Sequence, residues 1–120
     1  MTLKDLKTKD KTLLSLSNEL DSRITSDGTL TLYSHYYKER FHSGDGARKE
    51  SEEKFISPSQ LNRFTPTNKI HLLDVCFGMG YNTGCFVERI FNQKVKFQTW
   101  VLEIDKRPLE FGLRNNVFRE

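Results

Sequence analysis

Gly78 and Gly80 stand two residues apart, just after a short apolar run that carries an acid, Asp74. A second acid, Glu103, follows at close to the roughly 20 residues that separate a nucleotide-binding glycine fingerprint from its ribose-binding carboxylate. Glycines at this spacing suit a turn that needs positive φ, or one whose backbone must come close to a ligand. A carboxylate at the interval of Glu103 can accept both hydroxyls of a ribose, so together these features describe a site for a nucleoside-containing cofactor.

Such a site needs a strand, a turn, a helix and a second strand to hold it. Ile70, Leu72, Leu73 and Val75 supply a strand suited to burial on both faces, as in a parallel sheet. Over 81–92, Phe86, Val87, Ile90 and Phe91 recur at helical spacing with Glu88 and Arg89 turned outward. A helix that opens at the glycine turn points free N–H groups at whatever sits above the strand end. Val95, Phe97, Thr99, Trp100, Val101 and Leu102 make the second strand, which ends at Glu103. After a turn through Ile104 and Asp105, Pro108 is suited to the first position of a further helix, whose apolar side is Leu109, Phe111, Leu113, Val117 and Phe118.

The 120 residues amount to about one small domain, and 36% hydrophobic content supports a modest core. A net charge of +3 permits a nucleic-acid partner without indicating one. No apolar run is long enough to cross a bilayer and no signal-peptide core is present, so the expectation is a soluble, cytoplasmic chain without membrane or metal. Cys76 and Cys85 lack metal or redox spacing and read as small buried packing residues.

Upstream, residues 1–12 read as a solvated tail and 13–20 as a short helix or an extended piece. Strand character runs over 23–34 around the turn dipeptide Asp27-Gly28, and a further strand through Arg40-Phe41-His42-Ser43 would complete a small antiparallel meander. Gly44-Asp45-Gly46 breaks the chain before a helix over 47–56 in which Glu50 and Lys54 sit one turn apart. Thr65-Pro66-Thr67-Asn68 marks the boundary before the glycine-turn strand.

Taken together, Asp27-Gly28 with Thr29-Leu30-Thr31-Leu32-Tyr33-Ser34, then Phe41-His42-Ser43 with Gly46-Ala47 and Glu50, then Leu73-Asp74-Val75-Cys76-Phe77-Gly78-Met79-Gly80-Tyr81-Asn82-Thr83, resemble the MnmC-like tRNA methyltransferases. The likeness spans about residues 23–112. It implies an α/β, Rossmann-like fold that binds S-adenosylmethionine and methylates the aminomethyl group of the wobble uridine of tRNA. On that reading 1–21 is an N-terminal tail, 22–64 a β-hairpin plus helix extension, and 65–120 the first half of the cofactor-binding domain, a first β-α-β-α. The chain would then lack the later acidic motif that holds the acceptor amine. A truncated, inactive remnant, or an interaction module completed by a second chain, are the alternatives.

The resemblance also implies site residues. Phe77, Gly78, Gly80, Asn82 and Thr83 belong to the cofactor turn, with Asp74 orienting the loop or the cofactor's amino group. Glu103 would hold the ribose, with Asp105 its rival. Tyr33, Ser34, His42, Ser43 and Glu50 would line the pocket from the upstream motifs. Cys76 stands where such fingerprints usually have their first glycine. Beside these roles stand plainer ones: a turn cap for Asp74, a solvated strand-end acid for Glu103, a packed or surface ring for His42, a solvated helix face for Glu50. Tyr33, Tyr36 and Tyr37 read as core rather than as stackers on RNA, His35 and His71 as structural or surface, and Lys106 and Arg107 as surface.

Overall fold

Asp27 and Thr29, in the first turn of the chain's antiparallel sheet, decide how the upstream part of the molecule is joined together. The computed structural model describes residues 19–117; the tail expected over 1–12, most of the 13–20 piece and Phe118 lie outside them. Strands β1 (Leu20–Ile24), β2 (Leu30–Ser34) and β3 (Glu39–Arg40) form a sheet in that order, with Ser22 opposite Leu32 and Arg23 opposite Thr31. The first strand therefore begins at Leu20, earlier than the expected 23. The third is shorter than expected: it stops at Arg40, after which the Phe41 N–H still donates to the Leu32 carbonyl at 2.8 Å.

The Asp27 Oδ1 accepts from the hydroxyls of Thr25 (2.8 Å) and Thr29 (2.6 Å) and from the Thr29 N–H (3.0 Å). Its Oδ2 accepts from the Lys49 N–H at 3.1 Å, and the Thr29 hydroxyl accepts from the Ala47 N–H at 3.0 Å. These donors belong to the first turn of helix α1 (Ala47–Ser51), so the hairpin turn caps a helix whose own cap, Gly46, has no side chain to offer. Gly46 is glycine for lack of room: a Cβ there would sit 2.0 Å from the Asp27 carboxylate oxygen. The helix widens into a π-type turn (Glu52–Ile56), and the expected Glu50–Lys54 pair forms at 2.5 Å.

A 3₁₀ turn (Leu61–Arg63) leads to β4 (Lys69–Val75), helix α2 (Tyr81–Phe91), β5 (Lys96–Leu102) and helix α3 (Lys106–Arg114). β4 and β5 pair in parallel with Ile70 opposite Phe97 and Leu73 opposite Trp100. This is the anticipated β-α-β-α unit, a mixed α/β fold. Burial on both faces of β4 is not observed. Ile70 and Asp74 are buried while Leu73 and Val75 stay 59% and 57% exposed, because α2 and the 47–56 helix cover one side of the sheet only. Phe91 and Leu113 are likewise exposed. Pro108 sits at the third position of α3, because Asp105 caps the helix and Lys106 opens it. No helix of the described residues is long and apolar enough to cross a membrane.

Two cores result. One packs Ile56, Leu61, Ile70, Phe86 and Ile90 with Cys85, whose thiol burial pushes up to about 11, well out of the reactive range. The other joins the hairpin to the glycine turn: Leu32, Ala47, Met79 and Tyr81, with Leu20, Leu30, Phe111 and Val117 against them. Ion pairs Arg48–Glu88 and Arg89–Glu52 cross between α2 and the 47–56 helix.

Two measurements check these joints. Burial works against ionisation of Asp27, but the Thr29, Thr25 and Lys49 hydrogen bonds outweigh it and hold the carboxyl at about 2. A depressed folded value contributes stability above the ordinary carboxyl range and loses it as pH falls towards about 2. Asp27→Asn should therefore flatten the acid limb of the stability curve and cost on the order of 1 kcal/mol at neutral pH, after discounting for solvent screening; an unchanged acid limb in urea titrations would contradict the cap. At Gly112 a Cβ would lie 2.6 Å from the Met79 carbonyl oxygen. Gly112→Ala should lose about 1–2 kcal/mol in the same assay, the overpacking exceeding the helix-propensity gain.

Candidate functional site

Residues 76–80 turn the chain from the end of β4 into α2. Cys76, Gly78 and Gly80 take φ of 60°, 59° and 91°, the left-handed region. A Cβ on Gly78 would meet nothing nearer than 3.8 Å, so glycine is needed there for its conformation and not for room. Cys76 occupies the same region with a side chain, and against expectation it is exposed. Its position in the fingerprint is thus a left-handed one, which is why a glycine belongs there.

The turn is tied to the end of β5. Phe77 donates its N–H to the Leu102 carbonyl at 3.1 Å, and Gly78 donates its N–H to the Glu103 Oε2 at 2.6 Å. The Asp105 N–H donates to the other oxygen of Glu103 at 2.9 Å. Each oxygen of a carboxylate has a second lone pair, so Glu103 can hold the turn and still accept two hydroxyls. Asp105 is placed differently. It caps α3 by accepting the Arg107 N–H at 3.0 Å and pairs with that guanidinium at 2.6 Å, and the Arg107 hydrogen bonds hold its carboxyl below the usual range. Of the two acids, Asp105 has both oxygens engaged by Arg107, while each oxygen of Glu103 accepts one backbone N–H.

Asp74, buried at the end of β4, accepts from the Thr83 hydroxyl at 2.6 Å. The bond fixes the strand end to the first turn of α2.

The upstream residues gather on the other side of the turn. His42, Glu50, Phe77, Gly78 and Asn82 share a cavity of about 260 Å³ with Phe41 and Cys76. The His42 Nδ1 lies 2.8 Å from the Thr31 hydroxyl, and its ring meets Tyr81 edge to face at 5.0 Å. Burial pushes its pKa down against the opposing pull of Glu50, which favours the neutral imidazole. Glu50 shows the reverse balance: burial opposes its charge, but hydrogen bonds from Lys54 and the Ser43 N–H (2.9 Å) and the charges of Lys54 and His42 keep it ionised. Tyr33 and Ser43 line an adjoining recess of about 460 Å³ that also reaches His42 and Glu50. Ser34, Glu103 and Asp105 line a third, of about 780 Å³, with Tyr36, Tyr37 and Arg107.

Phe41 borders all three hollows. Sequence reasoning placed it in a motif but gave it no role. Met79 stands in the cofactor-turn motif with no role of its own, although a large apolar residue between two turn glycines needs somewhere to be buried. Tyr36 and Tyr37 overturn the expectation of core tyrosines: they are 55% and 75% exposed on the β2–β3 turn, because that two-residue third strand leaves nothing to pack over them.

No protein-family model matches the sequence. An uncharacterized protein of Methanocaldococcus jannaschii is 39% identical over 74 residues, which take in 62% of this chain and 20% of that protein. The crystal structure of MnmC2 from Aquifex aeolicus matches with a TM-score of 0.63 and 27% identity, over 84% of this chain and 36% of that one. The likeness is one of fold. It is consistent with part of a Rossmann-like domain, and the chain spans about a fifth of the curated relative and about a third of the solved one.

The strain at Cys76 can be measured. Cys76→Gly relieves a left-handed side chain at about 1–2 kcal/mol and adds back about 0.5–1 kcal/mol of backbone entropy. The variant should be more stable than the parent by up to about 1.5 kcal/mol and melt higher; a lower melting temperature would mean that the cysteine side chain makes compensating contacts.

Proposed function

We propose that this stretch forms the cofactor-holding part of a methyltransferase that uses S-adenosylmethionine, resembling the enzymes that methylate the aminomethyl group of the wobble uridine in tRNA. The observation that carries the reading is Glu103, at the carboxyl end of β5, reaching the N–H of the glycine turn at 2.6 Å with acceptor capacity to spare. The fold likeness to MnmC2 and the order of the upstream motifs support it.

When bound, the cofactor supplies an electrophilic methyl group on a sulfonium. The chain's residues then have distinct tasks. Gly78 and Gly80 let the backbone pass close beneath the ligand. Glu103 takes the ribose hydroxyls. Glu50, held ionised on the cavity wall, puts a negative charge near the ligand's cationic groups. His42, kept neutral by burial, adds no repulsion there. Methyl transfer to an amine needs a free lone pair in line with the methyl group, so placement supplies most of the rate. No catalytic residue for the acceptor amine is assigned.

The bare sheet face, with Leu73, Val75, Trp100 and Leu102 exposed, favours a companion reading in which further polypeptide covers it before the full reaction can run.

Calorimetric titration with S-adenosylhomocysteine tests the site. The parent chain should bind, and Glu103→Ala should weaken binding at least about tenfold, the loss of hydrogen bonds to a charged acceptor. Asp105→Ala should stay within about threefold, roughly 0.7 kcal/mol. A parent that gives no heat, or a Glu103 variant that binds equally, would sink the reading.

A further inference from the structure

We propose that the β2–β3 turn supplies the base-stacking wall of the nucleoside site, with Tyr36 and Tyr37 packing against the purine whose ribose Glu103 holds. This rests on the cofactor reading above and adds to it a place and a residue pair for the base.

The two tyrosines and Glu103 line the same recess, whose volume of about 780 Å³ falls within the roughly 300–1,000 Å³ of small-molecule sites. Its lining offers two chemistries: a carboxylate suited to a diol at Glu103, and apolar surface from the tyrosine rings and from the fully exposed Ile104, which follows that carboxylate in the chain. A ribose and its base are joined by a single bond, so a nucleoside anchored by its diol at Glu103 keeps its base close to this lining.

The turn that carries the rings is held rigidly. Ser34, buried, accepts the Tyr37 N–H on its hydroxyl at 3.2 Å. The His35 Nε2 lies 2.6 Å from the Asp21 carboxylate, and the His35 N–H donates to the Glu19 carbonyl at 3.1 Å. Lys38 closes the turn at φ 55°. The rings of Tyr36 and Tyr37 meet edge to face, with centroids 4.8 Å apart and planes at 85°, so they offer a flat ligand one face and one edge. A short turn ordinarily carries small polar residues. Here it presents two large rings on a fixed backbone, towards a hollow, with no core to enter. Single-stranded RNA could also use such rings, but their position in the Glu103 recess favours the smaller ligand.

The test titrates the parent chain, the double variant Tyr36→Ala/Tyr37→Ala and the double variant Tyr36→Phe/Tyr37→Phe with S-adenosylhomocysteine and with adenosine. Loss of a stacked base should cost the alanine pair about tenfold or more for both ligands, while the phenylalanine pair stays near the parent. On titrating the parent with adenosine, the ring protons of Tyr36 and Tyr37 should show ring-current shifts, a reading that needs no variant to fold. Parent binding that the alanine pair matches, without shifts at the tyrosine rings, overturns the inference and leaves the cofactor site standing. If that pair loses affinity only for a single-stranded RNA oligonucleotide, the wall serves RNA and the inference is wrong. A parent that binds neither ligand removes both readings together.

Discussion

The burial of the Met79 side chain is the constraint on which the glycine turn depends. Three of the residues 76–80 hold left-handed φ, and the N–H groups of Phe77, Gly78 and Gly80 are spent on bonds to Leu102, Glu103 and Phe77. Such a segment has little of its own to keep it still. Met79, almost wholly buried, drives its thioether into the core shared by Leu32 and Tyr81, with Phe111 packed alongside. An unbranched side chain fits this irregular gap well, and full burial is worth about 1.5–3 kcal/mol. Gly112 lets α3 come against the Met79 backbone from the far side. The turn is therefore shaped as much by the hairpin and by α3 as by the strand and helix it connects.

That dependence gives the upstream hairpin a purpose beyond packing. Leu32 and Leu30 belong to the same strand, and the Leu30 carbonyl accepts the Tyr81 hydroxyl at 2.8 Å at the very start of α2. Asp27 and Thr29, in the turn just before that strand, cap α1, which brings Glu50 to the Ser43 N–H and so to His42. The acids of the molecule divide along the same lines. Asp27 and Asp105 have their oxygens committed to hydrogen bonds from a neighbouring helix turn or guanidinium. Among the described residues Glu103 accepts from two backbone N–H groups, one on each oxygen, and so keeps acceptor capacity.

Much of this was legible in the residues. The strand, turn, helix and strand around Gly78 and Gly80 follow from apolar spacing and glycine chemistry, both of which are local. The helix over 47–56 and the turn at Asp27-Gly28 are local too. What could not be read depended on partners distant in sequence. The exposure of Tyr36 and Tyr37 follows from where β3 stops. The bond from Thr83 to Asp74 spans nine residues across the glycine turn, whereas the capping of α3 by Asp105 is local, made with Arg107 two residues on and just ahead of Pro108. Cys76 was recognised as a substituted glycine, but its left-handed φ and its exposure appear only once the turn is folded. Gly112, an isolated glycine within a helical pattern, is a local hint of close backbone approach.

The sheet itself explains why its apolar run misled. Ile70, Leu72, Leu73 and Val75 are apolar on both sides of β4, yet burial alternates along the strand with period two. Its covered side carries Ile70 and Asp74, and α2 reaches β5 there through the edge-to-face contact of Phe86 with Phe97. The other side carries Leu73 and Val75 beside Trp100 and Leu102, with His71 stacked on Trp100 at 5.5 Å. Each of these apolar side chains would contribute about 1.5–3 kcal/mol if taken from full exposure to full burial, so completing the cover of half-exposed ones yields several kcal/mol. A small domain's whole stability is only about 5–15 kcal/mol. Any cover over that face would therefore add a large share to the stability of β4 and β5. Glu103 and the glycine turn stand at the carboxyl ends of those same strands, so the firmness of the site and the covering of the sheet are one problem, not two.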